Sequence, residues 1–310
     1  MYDVKPFTHE LGVVLDARGP MAVADVPIPE VMALLRRHGV VYFRGFGTPI
    51  SEFEAYAKLF EARAGRSLPE QLQEGYVNAA KQAEVQAWVQ VTREAPPLVL
   101  RGVNPSQEAL YPHSENAYLP APTDLLWFYC EHPARERGRT TLVDGIRMLA
   151  EMDDDLLNFF RRQNITYNTV YDRAFWQSVF GLQEVAQVRA VLDSLPGVSH
   201  RLQEEESLAV RFSVPAIKKT KYGQQDAFVN QVLNGHYTPQ FGLCMEDDSR
   251  IPEEIMKRLL SLVDRIVVPV PWKAQEFALV DNSRLLHGRE DFRGEPARTI
   301  KVLEIQHGLA

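Results

Sequence analysis

The sequence has few cysteines, no long apolar run and no excess of basic residues, and each absence excludes a class of protein. Two cysteines in 310 residues are too few for a disulfide framework, and neither belongs to a Cys-x-x-Cys or Cys/His zinc pattern. No apolar run approaches the roughly 20 residues that span a bilayer. The N-terminal residues lack the basic start and apolar centre of a signal peptide. We therefore expect a cytoplasmic protein with no membrane partner.

The charge balance is acidic, with 34 basic and 41 acidic residues and a net charge of −7. Nucleic-acid binding leaves a strongly basic footprint on a protein, because Lys and Arg make the phosphate contacts. The sequence therefore predicts no nucleic-acid partner. The local charge of a binding site can oppose the net charge, so a small-molecule substrate remains compatible with this composition. The oligomeric state is not visible in the sequence.

No repeat, low-complexity tract or Gly/Ser linker divides the chain, so we expect one domain over residues 1–310. β-branched and aromatic runs of strand length alternate irregularly with amphipathic stretches of helix length. Because the regular strand–helix–strand order is missing, a doubly wound parallel sheet is disfavoured. The pattern predicts a mainly β fold with flanking helices, as in a β-sandwich or jelly roll. It also predicts a helix over 147–162, a strand over 227–232 and an irregular, lid-like segment over 235–250.

Candidate metal ligands occur in two distant segments, YPHSENAYLP and LVDNSRLLHGRE. The first holds His113 and Glu115, whose side chains share a face if the chain is extended there. The second holds His287. Two histidines and one carboxylate form the facial triad of non-haem iron(II) oxygenases, which leaves positions open for a cosubstrate and O2. Zinc accepts the same ligands, and a His-x-Glu pair alone also fits a surface pair beside a core histidine.

Two further residues add to this pattern. Arg298 follows His287 by eleven residues, and its guanidinium could grip the far carboxylate of 2-oxoglutarate with two hydrogen bonds. Thr141, in GRTTLVDG, could bond the same carboxylate through its hydroxyl. A surface ion pair for the arginine and an ordinary strand position for the threonine are the alternative interpretations.

Taken together, these segments resemble the taurine dioxygenase (TauD/TfdA-like) family, including its clavaminate synthase-like branch. The resembling segments are VVYFRGF, HSENAY, DLLWFYCEHPARERGRTTLVDG, AFVNQV and DNSRLLHGREDFRGEPART. The resemblance implies a double-stranded β-helix (jelly roll, cupin-like) with Fe(II) held by His113, Glu115 and His287. It implies 2-oxoglutarate as cosubstrate, with its C5 carboxylate on Arg298 and Thr141, and O2 as oxidant.

The resemblance also bears on the substrate. Taurine dioxygenase carries an arginine for the sulfonate four residues beyond its 2-oxoglutarate arginine, and here that position is Val302, so a sulfonate is disfavoured. We expect hydroxylation of a small polar metabolite, an amino acid or a derivative, either free or attached to a carrier. The residues expected near it are Asn116, Tyr118, Phe228, Asn230 and Arg289.

Arg289 lies two residues past an iron ligand and could pair with a substrate carboxylate, unless the chain turns at Gly288 and sends its side chain outward. Desaturation or cyclisation at the same site is an alternative outcome. A cupin-like metal hydrolase or isomerase that needs no 2-oxoglutarate is an alternative function, and so is a binding protein. Halogenation is disfavoured, because Glu115 fills the position that chloride would need.

Overall fold

Stacked β-sheets form the centre of the computed structural model, which describes residues 1–8, 11–61, 101–102, 108–120, 122–134, 136–180, 182–237, 242–293, 298–305 and 309. The strands of these residues are β1 (Tyr2–Pro6), β2 (Val13–Ala17), β3 (Val40–Arg44), β4 (Arg101–Gly102), β5 (Leu110–His113), β6 (Leu125–His132), β7 (Glu136–Arg137), β8 (Thr140–Asp144), β9 (Ile165–Tyr171), β10 (Val198–Leu202), β11 (Leu208–Val214), β12 (Ile217–Lys219), β13 (Asp226–Phe228), β14 (Cys244–Met245), β15 (Val268–Val270), β16 (Phe277–Asp281), β17 (Leu285–Arg289), β18 (Phe292–Arg293) and β19 (Thr299–Ile305).

The helices of the described residues lie mostly outside these sheets. They are α1 (Ile28–His38), α2 (Ile50–Lys58), α3 (Gly145–Ala150), α4 (Asp154–Arg162), α5 (Arg173–Phe180), α6 (Val185–Asp193), α7 (Val232–Tyr237) and α8 (Glu253–Ile266). In this part of the chain, we find no helix that has both the length and the apolar character to cross a membrane.

Two sheets face each other across the inner core. The larger has the order β1–β2–β3–β16–β6–β19–β4, antiparallel except for the β2–β3 pair, and the smaller has the order β15–β8–β17–β5. Apolar side chains of both sheets interdigitate between them, including Phe128 of β6, Leu142 of β8 and Ile300 of β19. This arrangement is the jelly roll that the sequence predicted, so the predicted fold class is confirmed.

Helices cover the outer faces of both sheets. Aromatic side chains of α2 pack against Trp127 and Phe277 on the outer face of the larger sheet. On the other side, α8 presents buried residues at helical spacing to a second apolar core. A further sheet, β10–β11–β9–β14, closes that core. The smaller sheet is therefore enclosed on both faces, which keeps its strands in fixed register beneath the site described below.

Three local predictions are corrected by the structure. The single helix expected over 147–162 is two helices, because Asp153 accepts a hydrogen bond from the backbone N–H of Leu156 and starts α4 anew. The strand expected over 227–232 ends at Phe228, because Asn230 caps α7 through Val232 N–H. The segment 235–250 includes the end of α7 and the strand β14, which pairs with β9, so its described residues are not one irregular lid.

Candidate metal centre and anion pocket

Three side chains converge at the pairing of β5 with β17. His113 and His287 lie directly opposite each other in register, with ring centroids 4.3 Å apart. Glu115 follows two residues after His113, and its Oε2 lies 3.5 Å from His287 Nε2 and 3.9 Å from His113 Nε2. Metal bonds of about 2.1 Å at right angles would separate neighbouring ligand atoms by about 3 Å. A small closure of these side chains would therefore enclose one divalent ion.

A β-bulge orients the first histidine. His287 pairs with His113, and Arg289 pairs with Leu110, so β5 advances by three residues where β17 advances by two. Within this bulge, His113 Nδ1 lies 2.9 Å from the carbonyl oxygen of Tyr111. A carbonyl only accepts, so Nδ1 carries the hydrogen, and the Nε2 lone pair is left for a metal. Burial, followed by the charge of His287, lowers the pKa of His113 to about 4, which keeps the imidazole neutral.

The second histidine is held by packing. The ring of Phe128 from the larger sheet meets the His287 ring edge-on at a centroid distance of 5.3 Å. His287 is buried, and its Nδ1 has no hydrogen-bond partner among the described residues. Aromatic and aliphatic walls of this kind limit the access of water to a metal site.

Hydrogen bonds fix the segment that carries Glu115. Asn282 accepts from Glu115 N–H through Oδ1, and its Nδ2 donates to the carbonyl oxygens of Glu115 and Thr123. Ser114 N–H donates to the carbonyl of Asn230, and its hydroxyl donates to the carbonyl of Asn282. These bonds join the segment to the chain just before β17. The ligand geometry is therefore set by the protein itself.

A partly buried cation lies on the same inner face. Arg298 Nη2 donates to the hydroxyl oxygen of Thr140 at 2.9 Å, and Trp272 Nε1 donates to the same oxygen at 2.7 Å. Arg298 Nε is buried without a hydrogen-bond partner among the described residues. Burial, followed by the charge of Arg289, lowers the pKa of Arg298 to about 10. The guanidinium still carries its charge at neutral pH, and an anion would stabilise it.

The threonine in this pocket is Thr140 and not the predicted Thr141. In register, Thr140 pairs with Arg289 and Leu142 pairs with His287, which puts Thr140 on the metal face of β8. Thr141 pairs with Gly288 on the opposite face, because successive side chains of a strand alternate. Both lone pairs of the Thr140 oxygen receive hydrogen bonds, so its own O–H is the group left to donate to an incoming oxygen.

The two predicted substrate residues after Glu115 lie in the interior. Asn116 has a positive φ of 57° and is fully buried, and its Nδ2 donates to Thr123 and Glu304. Its side chain therefore shapes the turn behind the ligands, and its contact with the substrate stays a prediction. Tyr118 belongs to the apolar core of the helical side, with 9% of its surface exposed.

The two predicted substrate residues in AFVNQV are also structural. Phe228 is fully buried and packs edge-on against Phe160 at 4.9 Å. Asn230 donates to the carbonyl of Ala216 and caps α7, while its backbone carbonyl supports Ser114. Phe228 fills the core and the amide of Asn230 is used for the turn, so both side chains have structural partners, and their place near the substrate stays a prediction.

Arg289 stays on the strand. The turn at Gly288 that would direct Arg289 outward does not occur, because β17 continues to Arg289, which is 5% exposed. Its Nη2 donates to the carbonyl oxygen of Glu108, and its guanidinium lies 5.1 Å from the Phe292 ring centroid. The side chain therefore lies on the metal face, beside the anion pocket.

These residues fit an iron(II) and 2-oxoglutarate site. Two imidazoles and one carboxylate suit a divalent first-row metal and leave coordination positions open. The buried Nε of Arg298 and the O–H of Thr140 can both donate hydrogen bonds to an anion. Among the described residues, no side chain supplies that anion. The sequence analysis did not single out Thr140 or Trp272. Because side chains alternate along a strand, Thr140 could have been identified if it had been known which face of β8 is turned toward the metal ligands.

Comparisons with known proteins agree with this geometry. The family model described as taurine catabolism dioxygenase TauD, TfdA family matches residues 3–303. The dapdiamide synthesis protein DdaC of Enterobacter agglomerans is 24% identical over 298 residues, which cover 90% of this chain and 85% of that protein.

Solved structures share the fold. PvcB from Pseudomonas aeruginosa has a TM-score of 0.61 and 16% identity, over 98% of this chain and 91% of that one. A structure of PvcB is described as an Fe, alpha-ketoglutarate dependent oxygenase from an isonitrile synthetic pathway, with a TM-score of 0.59, 16% identity and the same coverage. AAD-2 in complex with Mn(II) and N-oxalylglycine has a TM-score of 0.57 and 12% identity, over 100% of this chain and 98% of that one.

Proposed function

The chain belongs to the TauD/TfdA family and is an Fe(II)- and 2-oxoglutarate-dependent dioxygenase, and from this premise we propose its substrate class, reaction and site residues. It acts in the cytoplasm, as a single domain, on a small polar metabolite of a biosynthetic pathway. The metabolite is an amino acid or a derivative, either free or attached to a carrier. The reaction is hydroxylation of an unactivated C–H bond, coupled to conversion of 2-oxoglutarate and O2 into succinate and CO2.

The convergence of His113, Glu115 and His287 on one point is the observation that carries the proposal. These residues hold the iron, and Arg298 with Thr140 holds the C5 carboxylate of 2-oxoglutarate. Bound Fe(II) supplies the activation of O2. Glu115 offsets one positive charge of the metal, and the Tyr111 carbonyl keeps the His113 proton on Nδ1. Phe128 limits water access beside His287. The protein thus contributes orientation and exclusion of water.

Two observations favour a biosynthetic, non-sulfonate substrate. One relative is named for dapdiamide synthesis, and one similar structure is described as coming from an isonitrile synthetic pathway. In addition, Val302 packs against the inner core where taurine dioxygenase has its sulfonate arginine. An aliphatic side chain at this place offers no partner for a sulfonate.

Succinate formation with Fe(II), 2-oxoglutarate and O2 across a panel of amino acids, amino-acid amides and carrier thioesters tests the substrate class. The expected result is substrate-dependent succinate with a product heavier by one oxygen atom. A product lighter by two hydrogen atoms would instead assign desaturation or cyclisation. If amino-acid substrates give no stimulation while a sulfonate or another class does, the proposed substrate class is wrong. Turnover that needs no 2-oxoglutarate would support the hydrolase or isomerase alternative.

A further inference from the structure

Trp272 donates a hydrogen bond into the anion pocket but has no role in the function proposed above. Its Nε1–H donates to the hydroxyl oxygen of Thr140 at 2.7 Å, and Arg298 Nη2 donates to the same oxygen at 2.9 Å. An indole N–H and a guanidinium can only donate, whereas a hydroxyl has one O–H and two lone pairs. Thr140 therefore uses both lone pairs as an acceptor, and its O–H is directed away from Trp272 and Arg298.

The indole is held in place from its other sides. Val270 of β15 pairs with Thr140, and the backbone N–H of Trp272 donates to the carbonyl oxygen of Val270. The indole ring packs against the ring of Tyr42 at a centroid distance of 5.2 Å. The hydroxyl of Tyr42 in turn donates to the carboxylate of Glu276, which is buried. The position of the Trp272 Nε1–H is therefore fixed by the fold before any cosubstrate binds.

The indole N–H limits the directions in which the Thr140 hydroxyl can point. A threonine hydroxyl rotates about its Cβ–Oγ bond to suit its partners, so its proton would have several orientations if a lone pair were left open. Because Trp272 and Arg298 occupy both lone pairs, the O–H of Thr140 is already oriented when an anion enters. Groups that are pre-organised in this way bind more tightly, since less freedom is lost on binding.

We propose that Trp272 is a positioning residue for the cosubstrate, which acts through Thr140 by making its hydroxyl an obligate donor to the C5 carboxylate of 2-oxoglutarate. This proposal rests on the proposed function in its assignment of Arg298 and Thr140 to that carboxylate. The effect of Trp272 on binding depends on the Thr140 hydroxyl, and this dependence distinguishes it from a residue that only fills the core.

Two ligands of the Mn(II)-loaded protein separate the anion pocket from the metal. N-oxalylglycine carries both a metal-chelating end and a far carboxylate, whereas oxalate carries the chelating end alone. Trp272→Phe keeps an aromatic ring against Tyr42 and removes the N–H. By calorimetry, we expect the Kd of N-oxalylglycine to rise roughly 2- to 12-fold, as for loss of one neutral hydrogen bond, while the Kd of oxalate stays unchanged.

Trp127 provides a matched control. It is also buried, but its Nε1 has no hydrogen-bond partner among the described residues, and it packs in the core on the outer face of the larger sheet. Trp127→Phe therefore makes the same chemical change without removing a hydrogen bond. The Kd values of N-oxalylglycine and of oxalate should both stay those of the wild type.

A double-mutant cycle tests whether Trp272 acts through Thr140. In the Thr140→Val protein the acceptor of the indole N–H is absent, so adding Trp272→Phe should not change the Kd of N-oxalylglycine further. If Trp272→Phe does not fold, benzothienylalanine at position 272 keeps the bicyclic shape and has sulfur in place of the N–H. The same rise in Kd is expected for that protein.

Four results would overturn the role of Trp272. Wild-type binding of N-oxalylglycine in Trp272→Phe would exclude it. An equal rise in Kd in the Thr140→Val background would mean that Trp272 acts independently of the hydroxyl. Equal weakening of oxalate binding, or weakening of N-oxalylglycine binding in Trp127→Phe, would point to a general loss of packing. If Thr140→Val itself leaves N-oxalylglycine binding unchanged, the assignment of Thr140 in the proposed function fails, which is distinguishable from failure of Trp272 alone.

Discussion

Replacement of Thr140 by valine should weaken cosubstrate binding, whereas the same replacement at Thr141 should not. Valine has the shape of threonine but lacks the hydroxyl that accepts from Trp272 and Arg298 and remains able to donate. Loss of one hydrogen bond to a charged carboxylate costs about 1.5–3 kcal/mol, or roughly 10- to 150-fold in Kd. Thr141 faces the other side of β8, opposite Gly288, so valine there leaves the pocket intact.

The Thr140→Val variant should also lose stability. The indole N–H of Trp272 is buried and would be left without its acceptor, which costs about 1–3 kcal/mol. Thr140→Ser retains the hydroxyl and should restore most of both losses. Calorimetric titration of the Mn(II)-loaded variants with N-oxalylglycine measures the first effect, and urea denaturation measures the second.

The opposite pattern would refute this reasoning. If Thr141→Val weakens N-oxalylglycine binding as much as Thr140→Val does, the strand register does not define the pocket. If Thr140→Val binds as tightly as the wild type, its hydroxyl does not contact the cosubstrate. A stability loss in Thr140→Val without a binding loss would leave Thr140 only a role in holding Trp272.

Three further outcomes are expected. Alanine at any one of the three proposed iron ligands should abolish succinate formation and Fe(II) binding while the circular dichroism spectrum stays that of the wild type, and full activity in any of them would contradict the triad. Arg298→Ala should raise the KM for 2-oxoglutarate, because a partly desolvated carboxylate loses its charged partner, and the increase should correspond to about 2–5 kcal/mol of lost binding free energy. An unchanged 2-oxoglutarate titration would exclude this role. Burial raises the pKa of Asp281 to about 6, from an ordinary value of 3.8. The folded state therefore holds this proton more tightly than the unfolded chain does. This contribution to the free energy of unfolding is fully present below about pH 4 and is lost as the pH rises through about 6, a change of about 1–3 kcal/mol. Asp281→Asn should remove this loss, and parallel unfolding free energies of variant and wild type between pH 4 and 7 would argue against it.

The sequence predicted the parts of the fold that depend on local pattern. The apolar run from Leu125 forms the inner strand β6. A strand that is buried on both faces does not need polar and apolar residues to alternate, so a continuous apolar run of this length predicts it. The helix predicted over 147–162 has a continuous apolar face, but its interruption depends on the Asp153 cap. The free energy of a helix that starts at such a cap differs only slightly from that of one continuous helix, and the spacing of apolar residues does not reveal this difference.

The candidate site was predictable where residue type alone identifies a role. Imidazole and carboxylate at the right spacing mark metal ligands, so His113 and Glu115 could be named before their positions were known. Thr140 and Thr141 are chemically identical neighbours, and a choice between them needs the register of β8 against β17. Asn230 is also polar and was predicted to lie near the substrate, but the hydrogen-bond needs of a helix start determine where its amide points.

The bonds that tie Ser114 and Glu115 to Asn282 have a thermodynamic consequence. Where metal ligands are brought together only by the ion, binding and folding are one event, and chelation unfolds the protein. Here the backbone around the ligands is already fixed by amide and carbonyl partners. Metal uptake should therefore raise the melting temperature only by mass action, in proportion to the logarithm of free metal above its Kd. Chelation would then yield a folded protein that accepts a replacement ion without refolding.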